Sequence, residues 1–546
     1  MNRTAAGANV AARKRVKRTL RPMLVLSVTA LAAGLALMAA ASASLMSRSW
    51  TLRVAVSYGV GAVDPAFANF PVDPPVYSAV CADLYAYPDR GGARGGRLVA
   101  DVANGPPRVS RDGRTYRFTI RRGFRFDTGA PVRAANFAAA INRDLDPRLN
   151  SPAALFLTDV VGAKSVTAGK AKTASGVRAR GSTLKITLTA PAPDLPARLA
   201  MSYFCSIPVK TKVDAHGVTP PTAGPYYVAH LDSNTLELRR NHYYGGRRLS
   251  NPARIVYALS QPLDAIPLQI ARGNADYGAI SLLSTQSVAK QYPKQFHVGP
   301  GAIVTCLALN NDRPLFHHNL PLRRAVNYAI DRKALVAQLT YGTRPTDQYL
   351  PPAMPGFRDA EIYPLFKPKV AKARALAKGH LRSGKAIMYV RNASTTAMAR
   401  ARIVQYGLAK IGLAVEIRQS PTPDSAGTRG EPFDIVDIGC LFPAYMDPAA
   451  ILNASFDGRL LRATGNTNVA YFNDPKFNRR FAAAARLQGR ARYRAYGKLD
   501  IDLARNAAPA VAYGMAQQTA FVSQRIGCVR LNPVNGLSLG SVCLKR

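Results

Sequence analysis

Between residues 112 and 141 the apolar positions change their spacing, and that change limits the fold more than any other feature of the chain. After an Asp112-Gly113 turn, Tyr116, Phe118 and Ile120 alternate with Thr115, Arg117 and Thr119, the period-2 pattern of a half-buried strand. Gly123 interrupts, Phe124 and Phe126 resume the alternation, and Thr128-Gly129-Ala130-Pro131 turns the chain again. Phe137, Ala140 and Ile141 then fall at helical spacing. The same exchange recurs downstream. Leu52, Val54 and Val56 predict a first strand, and Leu184, Ile186 and Leu188 another. Residues 222–228 lead into a strand whose hairpin partner is Leu236-Glu237-Leu238. Pro321 suits the first turn of a helix capped by Asn319 or Leu320, with Leu322, Ala325, Val326, Ala329, Ile330 and Leu335 as its buried stripe. Residues 433–438 read as a buried strand, and 474–507 as the last long helices. Strands interleaved with helices predict α/β packing, and 546 residues exceed one small core, so two or three units are expected.

Ahead of the first strand, Arg13, Lys14, Arg15, Lys17, Arg18 and Arg21 precede an apolar run over 23–41 that ends in Ala41-Ser42-Ala43. This is the order of a secretory signal, and its length approaches the ~20 residues that span a bilayer. Residues 1–50 are therefore expected to be an export signal or a membrane anchor seated at 23–45, with the rest of the chain on the outer side, periplasmic or against the cytoplasmic membrane. Six cysteines in an oxidising compartment favour disulfides: Cys81, Cys205, Cys306, Cys440, Cys528 and Cys543. Cys528 and Cys543 would close a short tail loop and are the favoured pair. The other connectivities stay open.

The 74 basic residues against 31 acidic ones give a formal charge of +43. Charge on this scale bears on solubility and nonspecific partners, not on fold. The arginines are dispersed, and no zinc-finger, RRM or basic-zipper pattern accompanies them, so no specific nucleic-acid partner is expected. An exported basic protein binding an anionic polymer, wall or nucleic acid, through its charge is the alternative. An exported hydrolase with a zinc-protease helix or a phosphate loop is not expected, since neither pattern is written in the chain. His317-His318 is the one histidine cluster, without acidic ligands around it, and reads as a loop pair. No catalytic residue, metal or cofactor is expected.

The stretch from Asp112-Gly113 to Pro131-Val132 resembles the most diagnostic signature of the dipeptide- and oligopeptide-binding (peptide/nickel) class of ABC-importer solute-binding proteins. Gly224-Pro225-Tyr226-Tyr227 is similar to a strand lead-in of that class. Pro314-Leu315-Phe316 with Leu322-Arg323-Arg324-Ala325 and Ala329-Ile330-Asp331-Arg332 resembles its second-domain opening. Phe433-Asp434 with Asp447-Pro448, and Tyr471-Phe472-Asn473-Asp474-Pro475, complete the set in order.

The resemblance implies an α/β, two-lobed periplasmic-binding-protein fold with a hinge and an extra subdomain on the first lobe. It places lobe I at 51–75, 178–305 and 515–546, the extra subdomain at 76–177, and lobe II at 306–514. It implies a monomer that holds a peptide or other small-molecule ligand between the lobes and delivers it to ABC permease subunits. Ligand contacts would come from Asn69, Phe70 and Pro71 on lobe I, from Tyr227, and from Cys440, Leu441, Phe442, Ala444 and Asp447 on lobe II. One position departs from the class: the acid expected three residues before Asp447, where it pairs with a ligand ammonium, is Ala444. Either Asp437, Asp447 or another acid substitutes, or the ligand lacks a free amino terminus, because an ammonium buried without a counter-charge is costly. Arg133 likewise stands where the class tends to have a capping Thr.

Overall fold

Leu52 and Val54 point into a core from the strand Thr51–Ala55, which in this computed structural model lies at the heart of a five-stranded sheet. The structure describes residues 50–545 apart from 69–73, 214–217, 282–283, 392–393 and 438–440. The expected export segment before Trp50, the loop residues Asn69, Phe70 and Pro71, and Cys440 lie outside the described residues. Thr51–Ala55 pairs in parallel with Arg254–Ala258 and Tyr277–Gly278. Thr235–Arg240 and Tyr226–Leu231 continue the sheet as an antiparallel hairpin to its far edge. Residues from the far end of the chain, Val522, Leu537 and Leu539, complete this lobe I core. Asp276, fully buried, ties the first strand to the tail. It accepts hydrogen bonds from the Arg53 amide at 2.9 Å, from Arg525 Nε at 2.7 Å and from the Ser523 hydroxyl at 2.9 Å.

The alternation around Phe118 forms the strand Thr115–Thr119 of a four-stranded sheet, packed under the helix Ala134–Leu145. Tyr116, Phe118, Phe137 and Ile141 share its core with Leu184, Ile186 and Phe204. Val177–Arg180 and Thr183–Thr187 are one hairpin, and Tyr116 registers with Ile186, so this sheet and its core extend past residue 177, the boundary expected from the sequence, to Phe204. Without a capping Thr at 133, the helix is closed from inside: the Asn136 side chain accepts from the Arg133 amide at 2.8 Å.

Lobe II is built on a six-stranded mixed sheet that includes Ile435–Asp437, Lys385–Val390 and Ala414–Gln419. The helix Leu320–Ala329 begins as its Pro and Asn319 dictate, with Asn319 accepting from the Leu322 amide. Thr395–Ala409, Pro475–Arg486 and Gly489–Asn506 cover the same core. Among the described residues no helix is long and apolar enough to cross a membrane.

Two long antiparallel strands, Phe296–Leu309 and Ala510–Phe521, join the lobes. Phe296 and Phe521 sit in lobe I packing, whereas Leu307 and Val511 sit in the lobe II core. Their ladder shifts register between Pro300 and Val304 and again between Thr305 and Cys306. Pro300 has no amide hydrogen to give, and a Cβ on Gly301 would lie 2.3 Å from the Ala516 carbonyl oxygen.

Two disulfides form, Cys528–Cys543 in the tail and Cys81–Cys205, both of whose cysteines pack in the lobe I core. Cys306 is buried on the first crossing strand and packs in the lobe II core, and Cys440 lies outside the described residues.

Gly301→Ala is expected to destabilise the protein by about 1–3 kcal/mol, read by urea unfolding, because the new methyl meets backbone rather than a yielding side chain. At Asp276, burial alone would raise the carboxyl, but the hydrogen bonds from Arg525 and Arg53 outweigh it and hold it below the usual carboxylate range. That stability is fully present above the ordinary carboxylate pKa and is lost as pH falls through the depressed folded value. Asp276→Asn is expected to cost on the order of 2 kcal/mol at neutral pH, discounted for the half-exposed guanidiniums, with the gap from wild type closing as the medium is acidified.

Candidate functional site

Beyond the strand Ile435–Asp437 the chain runs through a loop to the helix Ala449–Phe456. A bridge between Leu441 and Val304 pins this loop to the first crossing strand, and Pro443 is buried beneath it. With its ends held, the loop turns Phe442, Ala444 and Tyr445 into a cavity of about 920 Å³. Lobe II supplies the floor through Ala450, Asn453 and Asn466. The opposite wall comes from the extra subdomain through Phe156, Ala192 and Asp194. A smaller cavity of about 260 Å³ lies between lobe I and the crossing strands, lined by Val54, Tyr257, Tyr277, Ile303 and Gln518. Phe442 lines both, so the two meet at its ring. Another cavity, about 550 Å³ and bordered by Arg90, Arg94, His297 and Arg530, shares none of these residues.

The walls touch across the gap. Tyr445 donates its hydroxyl proton to Asp194 Oδ2 at 2.7 Å and meets the Phe156 ring edge-on at 6.3 Å. The Met446 amide donates to the Tyr87 hydroxyl at 3.1 Å. Beneath Tyr445, Asp447 and Arg492 form a two-pronged ion pair at 2.7 and 2.9 Å, each side chain 3% exposed. Burial works against the charge on Arg492, but its hydrogen bonds to Asp447 outweigh that and raise its pKa. Asp437 is likewise engaged, by Arg400 at 2.8 Å and by the Tyr513 hydroxyl at 3.1 Å.

Of the expected ligand contacts, Leu441, Phe442 and Ala444 line the larger cavity. Two are corrected. Asp447 faces away, because both carboxylate oxygens are taken by Arg492. Tyr227 lines neither cavity, because its strand Tyr226–Leu231 is the edge of the lobe I sheet opposite Tyr277–Gly278, which faces the crossing strands. Asp194 and Phe156 were not foreseen. Pro191 and Pro193 mark a fixed loop before Asp194, but nothing local ties it to Tyr445, 251 residues away. His317 and His318 sit in the turn before Leu320–Ala329, with His317 Nδ1 2.8 Å from the Asn311 carbonyl. Among the described residues the one cluster with metal-ligating atoms is Cys81, Asp83 and Cys205, and its two sulfurs are bonded to each other.

Residues 97–459 match the family described as bacterial extracellular solute-binding proteins, family 5, middle region. The chain is 29% identical over 267 residues to the oligopeptide-binding protein OppA of Bacillus subtilis, covering 46% of this chain and 48% of that protein. It is 28% identical over 282 residues to the probable deoxycholate-binding periplasmic protein YgiS of Escherichia coli, covering 49% and 52%. The chain thus spans about half the length of these relatives. Among solved structures, the clavulanic acid biosynthesis oligopeptide binding protein 2 superposes with a TM-score of 0.81 at 21% identity, over 91% of this chain and 96% of that one, and shares its fold. With the match spanning more than half of its length, the chain belongs to family 5 of the bacterial extracellular solute-binding proteins.

Proposed function

We propose that the chain is the extracytoplasmic solute-binding component of an ABC importer, which captures a peptide or peptide-like ligand and hands it unchanged to the permease. The observation that carries this reading is the cavity between the 441–445 loop of lobe II and the extra subdomain, walled by parts with separate cores. A ligand there gains contacts from both walls only when they approach, so binding favours the closed arrangement. The Leu441, Phe442 and Ala444 backbone offers an extended ligand main-chain hydrogen bonds independent of its side chains, minus the one that Pro443 has no amide to make. The chain acts as a monomer, exported by the segment before Trp50, and uses neither metal nor cofactor. A second reading, a non-peptide solute on the same fold, is favoured by the likeness to a relative named for deoxycholate and by the mostly apolar lining.

The test is native mass spectrometry of the gently purified exported domain, with peptides of mixed sequence expected to co-purify. A compound turned over into product instead would sink the proposal. Phe442→Ala is expected to weaken binding of those peptides by about 2 kcal/mol in calorimetry, since the ring lines both cavities. Raising salt from 50 to 500 mM, on the order of a threefold fall in screening length, should change that affinity little. A steep loss with salt would mark the +43 charge as the binding determinant, and the partner as an anionic polymer.

A further inference from the structure

We infer that Asp194, on the extra subdomain, is the anchor for a cationic group of the ligand, its free amino terminus. This rests on the reading of the cavity as a peptide-class site and says how that site recognises charge.

A buried ammonium needs a carboxylate not already spent on a guanidinium. Around the larger cavity the acids divide cleanly on that criterion. Asp447 is saturated by Arg492, and Asp437 by Arg400 and Tyr513. Asp424, 96% exposed, stands in solvent beside Arg391. Asp194 differs. It lines the cavity, its side chain is 16% exposed, and the one side chain among the described residues that donates a hydrogen bond to it is Tyr445, onto Oδ2. Its neighbouring cation is committed elsewhere: Arg198 spends Nη1 and Nη2 on Asp159 at 2.8 and 2.9 Å. Arg198 Nε lies 3.4 Å from Asp194 and is buried without a hydrogen-bond partner. Two carboxylates thus share one guanidinium, and Arg492, which also lines the cavity, is paired with Asp447, leaving a negative charge at the cavity wall. Burial would raise the Asp194 carboxyl, but Arg198 and the Tyr445 hydroxyl outweigh it and keep it ionised.

The position also fits. Tyr445 follows Ala444, where the loop carries a methyl facing the cavity, and through its hydroxyl it holds Asp194 against that same stretch of loop. The wall of the smaller cavity offers no rival charge, since its described lining is aromatic, aliphatic and amide. An acid supplied from across the gap would also tie recognition of the ammonium to approach of the two walls.

The experiment compares wild type, Asp194→Asn and Tyr445→Phe in calorimetry, using matched mixtures of tripeptides with free and with acetylated amino termini. In wild type the free-amine mixture is expected to bind more tightly. Asp194→Asn should weaken the free-amine mixture by about thirtyfold or more, the range for removing one partner of a buried charge pair, and leave the acetylated mixture within about threefold. Tyr445→Phe removes the same cross-gap bond but keeps the carboxylate, so it should preserve the preference for free amines. Equal losses for both mixtures in Asp194→Asn, or no loss for either, would overturn the assignment while leaving the peptide reading intact. Binding of neither mixture to wild type would overturn the peptide reading and the assignment together.

Discussion

The molecule depends on one ladder of hydrogen bonds shared by two cores. Phe296–Leu309 and Ala510–Phe521 each begin in one lobe and end in the other, so the lobes share strands rather than a flexible tether. A continuous ladder would be stiff. This one is broken near its middle, where Pro300 removes a donor and Gly301 lets the backbones approach. Bending there moves the lobes without disturbing Leu307 and Val511 at one end or Phe296 and Phe521 at the other. The same crossing explains why the first strand and the tail, joined through Asp276, share a core although nearly the whole chain separates them.

A chain with 74 basic and 31 acidic residues has few carboxylates to spare, and its interior shows where they go. Asp64 is held by Arg143 at 2.7 Å, Asp447 by Arg492 and Asp437 by Arg400, each pair largely out of solvent. The planar guanidinium matches a carboxylate in two-pronged fashion, which makes Arg the cation suited to such places. These pairs fix geometry more than they add net stability, because desolvation offsets most of the attraction. Asp194 shares its arginine, Arg198, with Asp159, and its carboxylate lines the cavity.

What was legible in the sequence was local. The strand at Thr115–Thr119 and the capped helix Leu320–Ala329 are written in period and in single residues such as Asn319, and both form where the pattern puts them. The family and its two-lobed architecture followed from five such segments in order. Contacts between distant segments were not legible. Tyr227 has the look of a cleft residue until the sheet order sets its strand at the far edge. Asp447 reads as a spare acid until Arg492, 45 residues on, folds back to meet it. The hairpin at Val177–Arg180 and Thr183–Thr187 belongs with Phe118 because the sheet closes over it, a fact that no break in composition announces.

The cavity walls are held by different cores. The 441–445 loop is held by lobe II and by the crossing strand at Val304, whereas Asp194 and Phe156 move with the extra subdomain. Tyr445 bonds to Asp194 and meets the Phe156 ring across the gap, and Leu98 and Ala200 pack against both cores. In the proposed role, a ligand filling the apolar space beside Phe442 would replace water at both walls at once, and that difference in burial would let it set the angle between the lobes. Recognition by a membrane partner would then need no contact with the ligand itself, since the angle would carry the information.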